Sequence, residues 1–294
     1  MKIFNGYKDC ASKIQNCVLT IGNFDGFHLA HQEIVKRLLL ISKKFNAKSI
    51  VYTFTPHPME LLNKKYKFKL IENNEQKFKR IINFGIDYII NEPFTKIFSF
   101  INFEEFINNI LLSSLDIKGI VLGNNYCFGR NRAGNVKYLN FKLKSRNIYF
   151  DFINIIKING LICSSSNIRE LILRGKVYSA SKLLGRYHEI AGDIVKLSKI
   201  NREMYFITVK ILTHCGLIPM DGIYNTILEL NKKKFLSITI IKYHVNFYFH
   251  EYIYCTNYLF NFVEELHKQF VSIKFVKKIY NKQFISFLSN MKNF

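Results

Sequence analysis

The sequence predicts an α/β fold, in which a doubly wound first half is followed by a small β-barrel-like domain with a C-terminal helix. Three observations lead to this expectation. From Val18 to about Gly185, apolar runs of strand length alternate with amphipathic stretches, which is typical of a mainly parallel sheet. Beyond Arg186, short β-like stretches replace this alternation. The 294 residues suffice for two domains, so we expect one domain at residues 1–186 and another at 187–294.

The first half contains a series of apolar runs that are candidate strands. In chain order they are VLTIG, SIVYTF, IDYII, IKGIVLG and NIYFDFINI. After His31, apolar residues recur at helical spacing as far as Ile41, and EQKFKRIIN is a further helix candidate that Gly85 ends. Asn102 and Glu105 have capping-box spacing, which predicts a helix over EFINNILLSSL.

The second half has a different pattern. The candidate strands are MYFITVKIL, GIYNTILEL and FLSITIIKYHVNFYF, in which apolar residues alternate imperfectly. The stretch NYLFNFVEELHKQF then shows helical spacing and predicts the C-terminal helix. We therefore expect a small β-barrel closed by a helix.

The formal net charge of +22 does not by itself indicate a nucleic-acid-binding protein. The lysines are spread from end to end, and even the densest run, Lys232 to Lys234, is short. We expect no nucleic-acid partner. The alternative is a basic nucleic-acid module, whose affinity would fall steeply with salt.

Six scattered cysteines without a CxxC pair argue against a zinc site and a disulfide scaffold, and favour reduced thiols. The N-terminal MKIFNGYKDC lacks the apolar core of a signal peptide. No run of about eighteen uncharged apolar residues is present to span a membrane. We therefore expect a cytoplasmic protein without a membrane partner.

Polar loops follow four of the candidate strands of the first half. They are GNFDGFHLAH, TPHP, GNNYCFGRNRAGN and CSSSNIRE. Ligands of doubly wound sheets bind beyond the carboxyl ends of the strands, where these loops are expected to converge. The sequence therefore predicts a ligand site at this edge.

His28 and His31 stand where the first loop becomes a helix. Free backbone N–H groups and the helix dipole attract anions at such a point, and imidazoles can add hydrogen bonds to phosphate oxygens. Gly22 and Gly26 allow a ligand to approach the backbone closely. For an isolated pair, the simpler alternative is that one histidine caps the helix and the other is exposed.

A second helix start offers further donors to an anion. Ser164, Ser165 and Ser166 supply hydroxyl groups and Arg169 lies in the first turn, whereas Asn167 and Glu170 have capping-box spacing. Serines before a helix are commonly only caps. Two such helix starts on one edge of a sheet nevertheless suggest a polyphosphate bound between them.

These segments resemble a known family. TIGNFDGFHLAHQ, TFTPHPMELL, VLGNNYCFGRNRAGN and SSSNIRELILRGKVYSASKLLGR are similar, in order and spacing, to the adenylyltransferase half of the prokaryotic bifunctional riboflavin kinase/FMN adenylyltransferases, also called FAD synthetases. The resemblance covers about residues 15 to 190. It implies a Rossmann-like nucleotidyltransferase domain of the HxGH type, which transfers the adenylyl group of ATP to the substrate FMN and yields FAD and pyrophosphate.

The resemblance also implies roles for individual residues. The residues it assigns to ATP are Gly22, Asn23, Phe24, Asp25, His28, His31, Ser164, Ser165, Ser166 and Arg169. Those it assigns to FMN are Pro56, His57, Pro58, Asn125 and Phe128. Among them, His28, His31, Asn125 and Arg169 would act on the reacting phosphates. Mg²⁺ is expected to accompany ATP, and no protein ligand can be assigned to it.

Simpler interpretations remain open for several of these side chains. Phe128 is equally consistent with a core position. Pro56 and Pro58 are consistent with a stiffened turn, and Asp25 with a cap or turn.

The chain departs from the family pattern in both halves. Ala30 replaces the glycine between the histidines, and Asn167 replaces an arginine of the serine segment. Arg130, Arg132 and Arg174 are candidates to supply the missing charge. In the second half the Gly-Phe-Pro-Thr-Ala-Asn segment of riboflavin kinases is absent, and Glu229 is only a possible relic of their catalytic glutamate.

The leading hypothesis is therefore an FMN adenylyltransferase whose kinase-like half has lost its activity. One alternative is a fully bifunctional enzyme with a diverged kinase site. A second is a nucleotide- or flavin-binding protein without turnover, in which Ala30 and Asn167 weaken the site.

Overall fold

A computed structural model describes residues 2–11, 13–62, 68–199, 204–212, 216–242, 252–260 and 269–280. The chain divides into two compact units. The first comprises Met1–Leu70 and Asn74–Ser164, and the second comprises Ile71–Asn73 and Ser165–Phe294. The domain boundary after residue 186 stays a prediction.

The first unit contains a six-stranded sheet in which neighbouring strands are parallel. Its strands are β1 (Lys2–Phe4), β2 (Cys17–Ile21), β3 (Lys48–Thr55), β4 (Tyr88–Pro93), β5 (Ile117–Gly123) and, farther along the chain, β8 (Tyr149–Ile153). Their order in the sheet is β1-β4-β3-β2-β5-β8. Every side chain of β2 is buried, as in strands that are covered on both faces.

Helices cover this sheet and connect its strands. They are α1 (Tyr7–Cys10), α2 (Leu29–Lys44), α3 (Pro58–Leu62), α4 (Asn74–Asn83), α5 (Lys96–Ser99), α6 (Phe103–Glu105) and α7 (Val136–Lys144). Successive residues of a strand face opposite sides, so Val18 belongs to one buried cluster and Leu19 to another. The doubly wound α/β fold predicted from the sequence is therefore confirmed.

The remaining elements of this unit are short. Two antiparallel pairs are formed by β6 (Cys127–Phe128) with β7 (Gly134–Asn135) and by β9 (Lys157–Ile158) with β10 (Leu161–Ile162). A 3₁₀ turn occupies Arg130–Arg132. The helix expected over EFINNILLSSL begins with α6 and continues as a π-helix, Phe106–Leu112.

The second unit consists of two helices and a closed barrel. The helices are α8 (Ser165–Leu173) and α9 (Val177–Leu184). The strands are β11 (His188–Lys199), β12 (Met204–Leu212), β13 (Gly222–Leu230), β14 (Lys233–Ile241), β15 (Tyr252–Phe260) and β16 (Phe270–Ile279). The barrel closes in the order β11-β12-β15-β14-β13-β16 around a core that includes Val177 of α9. The predicted barrel is confirmed.

The helix expected over residues 257–270 is wrong at both of its ends. Residues 257–260 belong to β15, and Phe270 begins β16, whereas residues 261–268 lie outside the described residues. In β15 the buried residues are Cys255, Asn257 and Leu259. Because the middle one is polar, the two-residue period of the strand is not visible in the sequence.

A chain of hydrogen bonds runs between side chains buried in the barrel. The Thr226 hydroxyl lies 2.7 Å from those of both Ser237 and Thr239. Thr239 donates to Asn257 Oδ1 at 2.6 Å, and Asn257 Nδ2 donates to Cys255 Sγ at 3.5 Å. Burial of these polar groups is thus compensated by bonds among them.

In the part of the chain that the structure describes, no helix is long and apolar enough to cross a membrane.

Candidate active site

The loop that follows β2 has an unusual backbone. Phe24 and Phe27 have positive φ angles of 52° and 29°, and Gly26 has a φ of 77°. Positive φ at a bulky residue costs about 1–3 kcal/mol and persists only where the surroundings impose it. Both phenylalanine rings are fully buried, and a Cβ at Gly22 would lie 3.2 Å from the Phe24 ring. The loop of residues 22–28 is therefore held in one strained shape.

His28 and His31 are stacked at the start of α2. Their ring centroids are 3.6 Å apart and the rings are inclined by 16°. His28 caps the helix, because its Nδ1 accepts a hydrogen bond from the His31 N–H at 3.4 Å. A neutral His28 that accepts at Nδ1 carries its proton on Nε2. The cap and the paired imidazoles therefore coexist, although they were alternatives in the sequence.

Cys163 lies against His28. Its Sγ lies 3.6 Å from His28 Nδ1, and burial raises the pKa of the thiol although the N–H groups of Ala30 and Leu29 oppose this by hydrogen bonding. The backbone N–H groups of Leu29 and Ala30 therefore point toward the sulfur atom of Cys163. Donation by the two imidazoles to a phosphate stays a prediction.

The serine segment begins directly after Cys163. Ser164 ends the first unit and follows a residue that contacts His28. Ser165, Ser166 and Arg169 open α8 in the second unit, so their place beside the histidines stays a prediction.

The arginine candidates for the missing charge differ in their surroundings. Arg174 forms an exposed ion pair with Glu170 at 2.7 Å. In the first unit, Arg130 lies over the Phe100 ring, with 5.2 Å between its guanidinium carbon and the ring centroid. No phosphate contact of either arginine follows from these positions.

Three of the predicted loops lie side by side. In the sheet, β2 lies between β3 and β5, so the loops that follow these parallel strands leave the same edge. Asn125 follows β5 and is exposed, and a Cβ at Gly123 would lie 3.4 Å from its Oδ1. The Asn125 side chain therefore lies beside the end of β5.

The residues expected at the flavin have structural partners. His57 Nδ1 accepts from the Met59 N–H at 3.1 Å, and its ring stacks on Phe68 with centroids 4.5 Å apart. Phe128 is buried in the core, where its ring lies 5.7 Å from that of Phe106. Pro56 is exposed after β3, and Pro58 begins α3. Contact of these side chains with a flavin stays a prediction.

Two residues to which the sequence assigned no role, Thr53 of the TFTPHPMELL motif and Lys77 outside every motif, lie under the loop of residues 22–28. Thr53 Oγ1 donates to the Asn23 carbonyl at 3.2 Å, and Lys77 Nζ donates to Thr53 Oγ1 at 3.3 Å. Lys77 occurs in a polar helix stretch where lysine normally faces solvent, so its sequence context gives no signal of this position.

Within the described residues, no group of three or more His, Cys, Asp or Glu side chains is placed to hold a metal ion. The binding of Mg²⁺ together with ATP stays a prediction.

Comparison with known proteins assigns both halves. The family model for FAD synthetase matches residues 10–167, and that for riboflavin kinase matches residues 184–293. The bifunctional riboflavin kinase/FMN adenylyltransferase of Buchnera aphidicola subsp. Schizaphis graminum is 32% identical over 99% of this chain and 95% of its own. That of Buchnera aphidicola subsp. Acyrthosiphon pisum is 33% identical over 100% and 94%. The Escherichia coli K12 protein of the same name is 27% identical over 79% and 75%.

A solved structure supports the fold. The crystal structure of a macrolide-efflux protein from Streptococcus pneumoniae aligns with a TM-score of 0.84, at 22% identity, over 99% of this chain and 96% of that chain. At this identity the likeness concerns the fold alone. Together with the matches to both family models, the identity to the two Buchnera proteins shows that the chain belongs to the bifunctional riboflavin kinase/FMN adenylyltransferase family.

Proposed function

We propose that the chain transfers the adenylyl group of ATP to FMN, which yields FAD and pyrophosphate. The observation that supports this most directly is the stacked His28–His31 pair at the start of α2, at the sheet edge from which the loops after β3 and β5 also leave. The family membership of the chain supports the same reaction.

The chemistry needs positioning and stabilisation of charge. An FMN phosphate oxygen attacks the α-phosphorus of ATP, and negative charge grows on the equatorial oxygens and on the departing pyrophosphate. In this proposal the Nε2–H of His28 and the imidazole of His31 donate hydrogen bonds to these oxygens. Asn125 orients the phosphates from the neighbouring loop. Ser164, Ser165, Ser166 and Arg169 hold the β- and γ-phosphates.

Around these groups, each ligand has its own set of proposed contacts. The adenosine side is shaped by Gly22, Asn23, Phe24 and Asp25. The flavin side is lined by Pro56, His57, Pro58 and Phe128. Mg²⁺ enters with ATP and neutralises phosphate charge when bound.

The test is incubation of the full chain with Mg-ATP and FMN, followed by chromatography of the flavins and measurement of pyrophosphate. We expect FAD and pyrophosphate in equal amounts. His31→Ala should lower turnover by about two to three orders of magnitude, the usual loss for a donor that stabilises a transition state. Lys36→Ala, at an exposed position of the same helix, is the control and should retain activity. A near-wild-type rate for His31→Ala would contradict the role given to His31.

We further propose that the barrel half has lost riboflavin kinase activity. The Gly-Phe-Pro-Thr-Ala-Asn segment is absent, and the Glu229 carboxylate is paired with the Lys274 ammonium at 2.5 Å. A carboxylate engaged in this way is poorly placed to activate a substrate hydroxyl. Riboflavin supplied with Mg-ATP should then give no FMN.

Retained kinase activity is the second candidate. The riboflavin kinase family model matches residues 184–293, and the barrel is closed. Formation of FMN from riboflavin would establish this candidate and refute the loss of activity. A third candidate is binding without turnover, which tight ATP binding in calorimetry without release of pyrophosphate would identify.

A further inference from the structure

Lys77 is a buried lysine beneath the loop of residues 22–28. It lies on α4 and is only 5% exposed, although lysine is among the residues least often buried. A buried ammonium group is unfavourable unless polar partners replace its water. The burial of Lys77 therefore needs an explanation in its local contacts.

The partners of Lys77 lead directly to the loop. Its Nζ donates to Thr53 Oγ1 at 3.3 Å and to the Asn23 carbonyl at 3.5 Å. Thr53 itself is fully buried and donates to the same carbonyl at 3.2 Å. One carbonyl oxygen of the loop thus receives two donors, and the ammonium group also holds the threonine in place.

The carbonyl that receives these bonds stands just before the strained part of the loop. Asn23 precedes Phe24, whose φ is 52°. At the other end of the loop, Gln32 Nε2 donates to the Phe27 carbonyl at 3.0 Å. The backbone is therefore held by hydrogen bonds on both sides of the turn. Among these three bonds in the described residues, the one from Lys77 is the only one with a cationic donor.

We propose that Lys77 is a positioning residue for ATP. Its ammonium group fixes the Asn23 carbonyl, directly and through Thr53, and so keeps the loop in the shape that receives the adenosine part of the nucleotide. This inference rests on the proposed adenylyl transfer for the identity of the ligand. It concerns ATP more than FMN, because the FMN contacts proposed above lie in other loops.

The central experiment measures KM for both substrates in Lys77→Met. Methionine retains the length of the aliphatic chain but removes the charge and the donors. We expect KM for ATP to rise about tenfold or more, which corresponds to about 1.4 kcal/mol, while KM for FMN changes much less. Lys77→Arg, which keeps a cationic donor, should recover part of the loss. The control is Lys79→Met, at an exposed position of the same helix, and should behave like the wild type.

Thr53→Val provides a second variant with little change of volume. It removes the hydroxyl donor while the β-branched shape that suits a strand remains, and it should raise KM for ATP in the same direction. If Lys77→Met fails to fold, Thr53→Val and Lys77→Arg carry the test. An unchanged KM for ATP in Lys77→Met, or an equal rise of KM for both substrates, would overturn the proposal. If Lys77→Met does not fold, an unchanged KM for ATP in Thr53→Val would overturn the proposal.

FAD formation by the wild type distinguishes a failure of this proposal from a failure of the proposed function. If the wild type makes no FAD, the reaction assigned above is wrong. Calorimetry with Mg-ATP alone then tests Lys77, because the positioning role predicts weaker binding by Lys77→Met and unchanged binding by Lys79→Met. Equal binding by the two variants would reject the positioning role.

Discussion

The carboxyl group of Glu92 is buried near the end of β4 and holds two donors. The Tyr52 hydroxyl donates to Glu92 Oε2 at 2.6 Å, and the Tyr7 N–H donates to the same oxygen at 2.8 Å. Burial raises the pKa of Glu92 above its ordinary value of 4.5, although both hydrogen bonds oppose the shift. The folded protein therefore binds this proton more tightly than the unfolded chain does.

This shift has a defined consequence for stability. The contribution of Glu92 to the free energy of unfolding is fully present below pH 4.5 and is lost as the pH rises through the raised pKa of the folded state. Glu92→Gln has no proton to lose. Its free energy of unfolding, relative to that of the wild type, should therefore increase as the pH is raised from about 4 to about 8.

Urea unfolding, followed by helical circular dichroism at several pH values, measures this difference. Glu75→Gln is the control, because Glu75 is exposed on α4. A difference between Glu92→Gln and the wild type that is constant across the pH range would contradict the prediction.

At the residue scale, the sequence predicted the candidate site residues that belong to a recognisable motif. The stacked His28–His31 pair belongs to such a motif, and its position at the start of α2 agrees with the spacing. Lys77 does not belong to one, because its role depends on contact with Thr53 of a strand 24 residues earlier. Cys163 is a similar case, since its contact with His28 spans 135 residues. Such contacts exist only after the sheet has formed.

At the scale of elements, α6 shows how far a local signal extends. Asn102 Oδ1 accepts from the Glu105 N–H at 2.8 Å, which is the cap that the spacing predicts. The continuation is a π-helix, in which the Ser113 N–H donates to the Asn108 carbonyl at 3.0 Å. The apolar spacing predicts a helix here but does not specify its hydrogen-bond register.

Removal of this cap should have a measurable cost. Asn102→Ala leaves the Glu105 N–H without its side-chain acceptor, and we expect the free energy of unfolding to fall by about 1 kcal/mol. Asn102→Ser retains an acceptor and should recover most of the loss. Urea unfolding of the three proteins measures both effects. Equal stability of the alanine and serine variants would show that the cap contributes nothing.

Some strands were easier to predict from the sequence than others. Largely apolar runs such as β2 and β5 are apparent from sequence, because most of their side chains are buried. In contrast, β1 has three residues, and β15 carries Asn257 toward the interior. Strand β1 is too short to show a two-residue period. In β15 the buried Asn257 interrupts the alternation of apolar and polar residues.

At the scale of the whole molecule, the formal net charge of +22 acts on anionic ligands at long range. A positive field attracts ATP and FMN, and salt screens that field over a distance of about 10 Å at 0.1 M. We expect KM for ATP to rise severalfold between about 50 and 300 mM KCl, with a smaller change of turnover at saturating ATP. Sucrose at equal osmolality is the control. A KM that does not depend on KCl would show that the field has no part in binding.

Buried side-chain hydrogen bonds join three neighbouring strands of the barrel. Thr226 of β13 donates to the Ser237 carbonyl of β14 at 3.1 Å, and Thr239 of β14 donates to Asn257 Oδ1 of β15 at 2.6 Å. A slip of either neighbouring strand by one residue would turn these groups outward and put their polar neighbours out of reach. These buried polar contacts thus favour a single strand alignment, a preference that an all-hydrocarbon interior would lack.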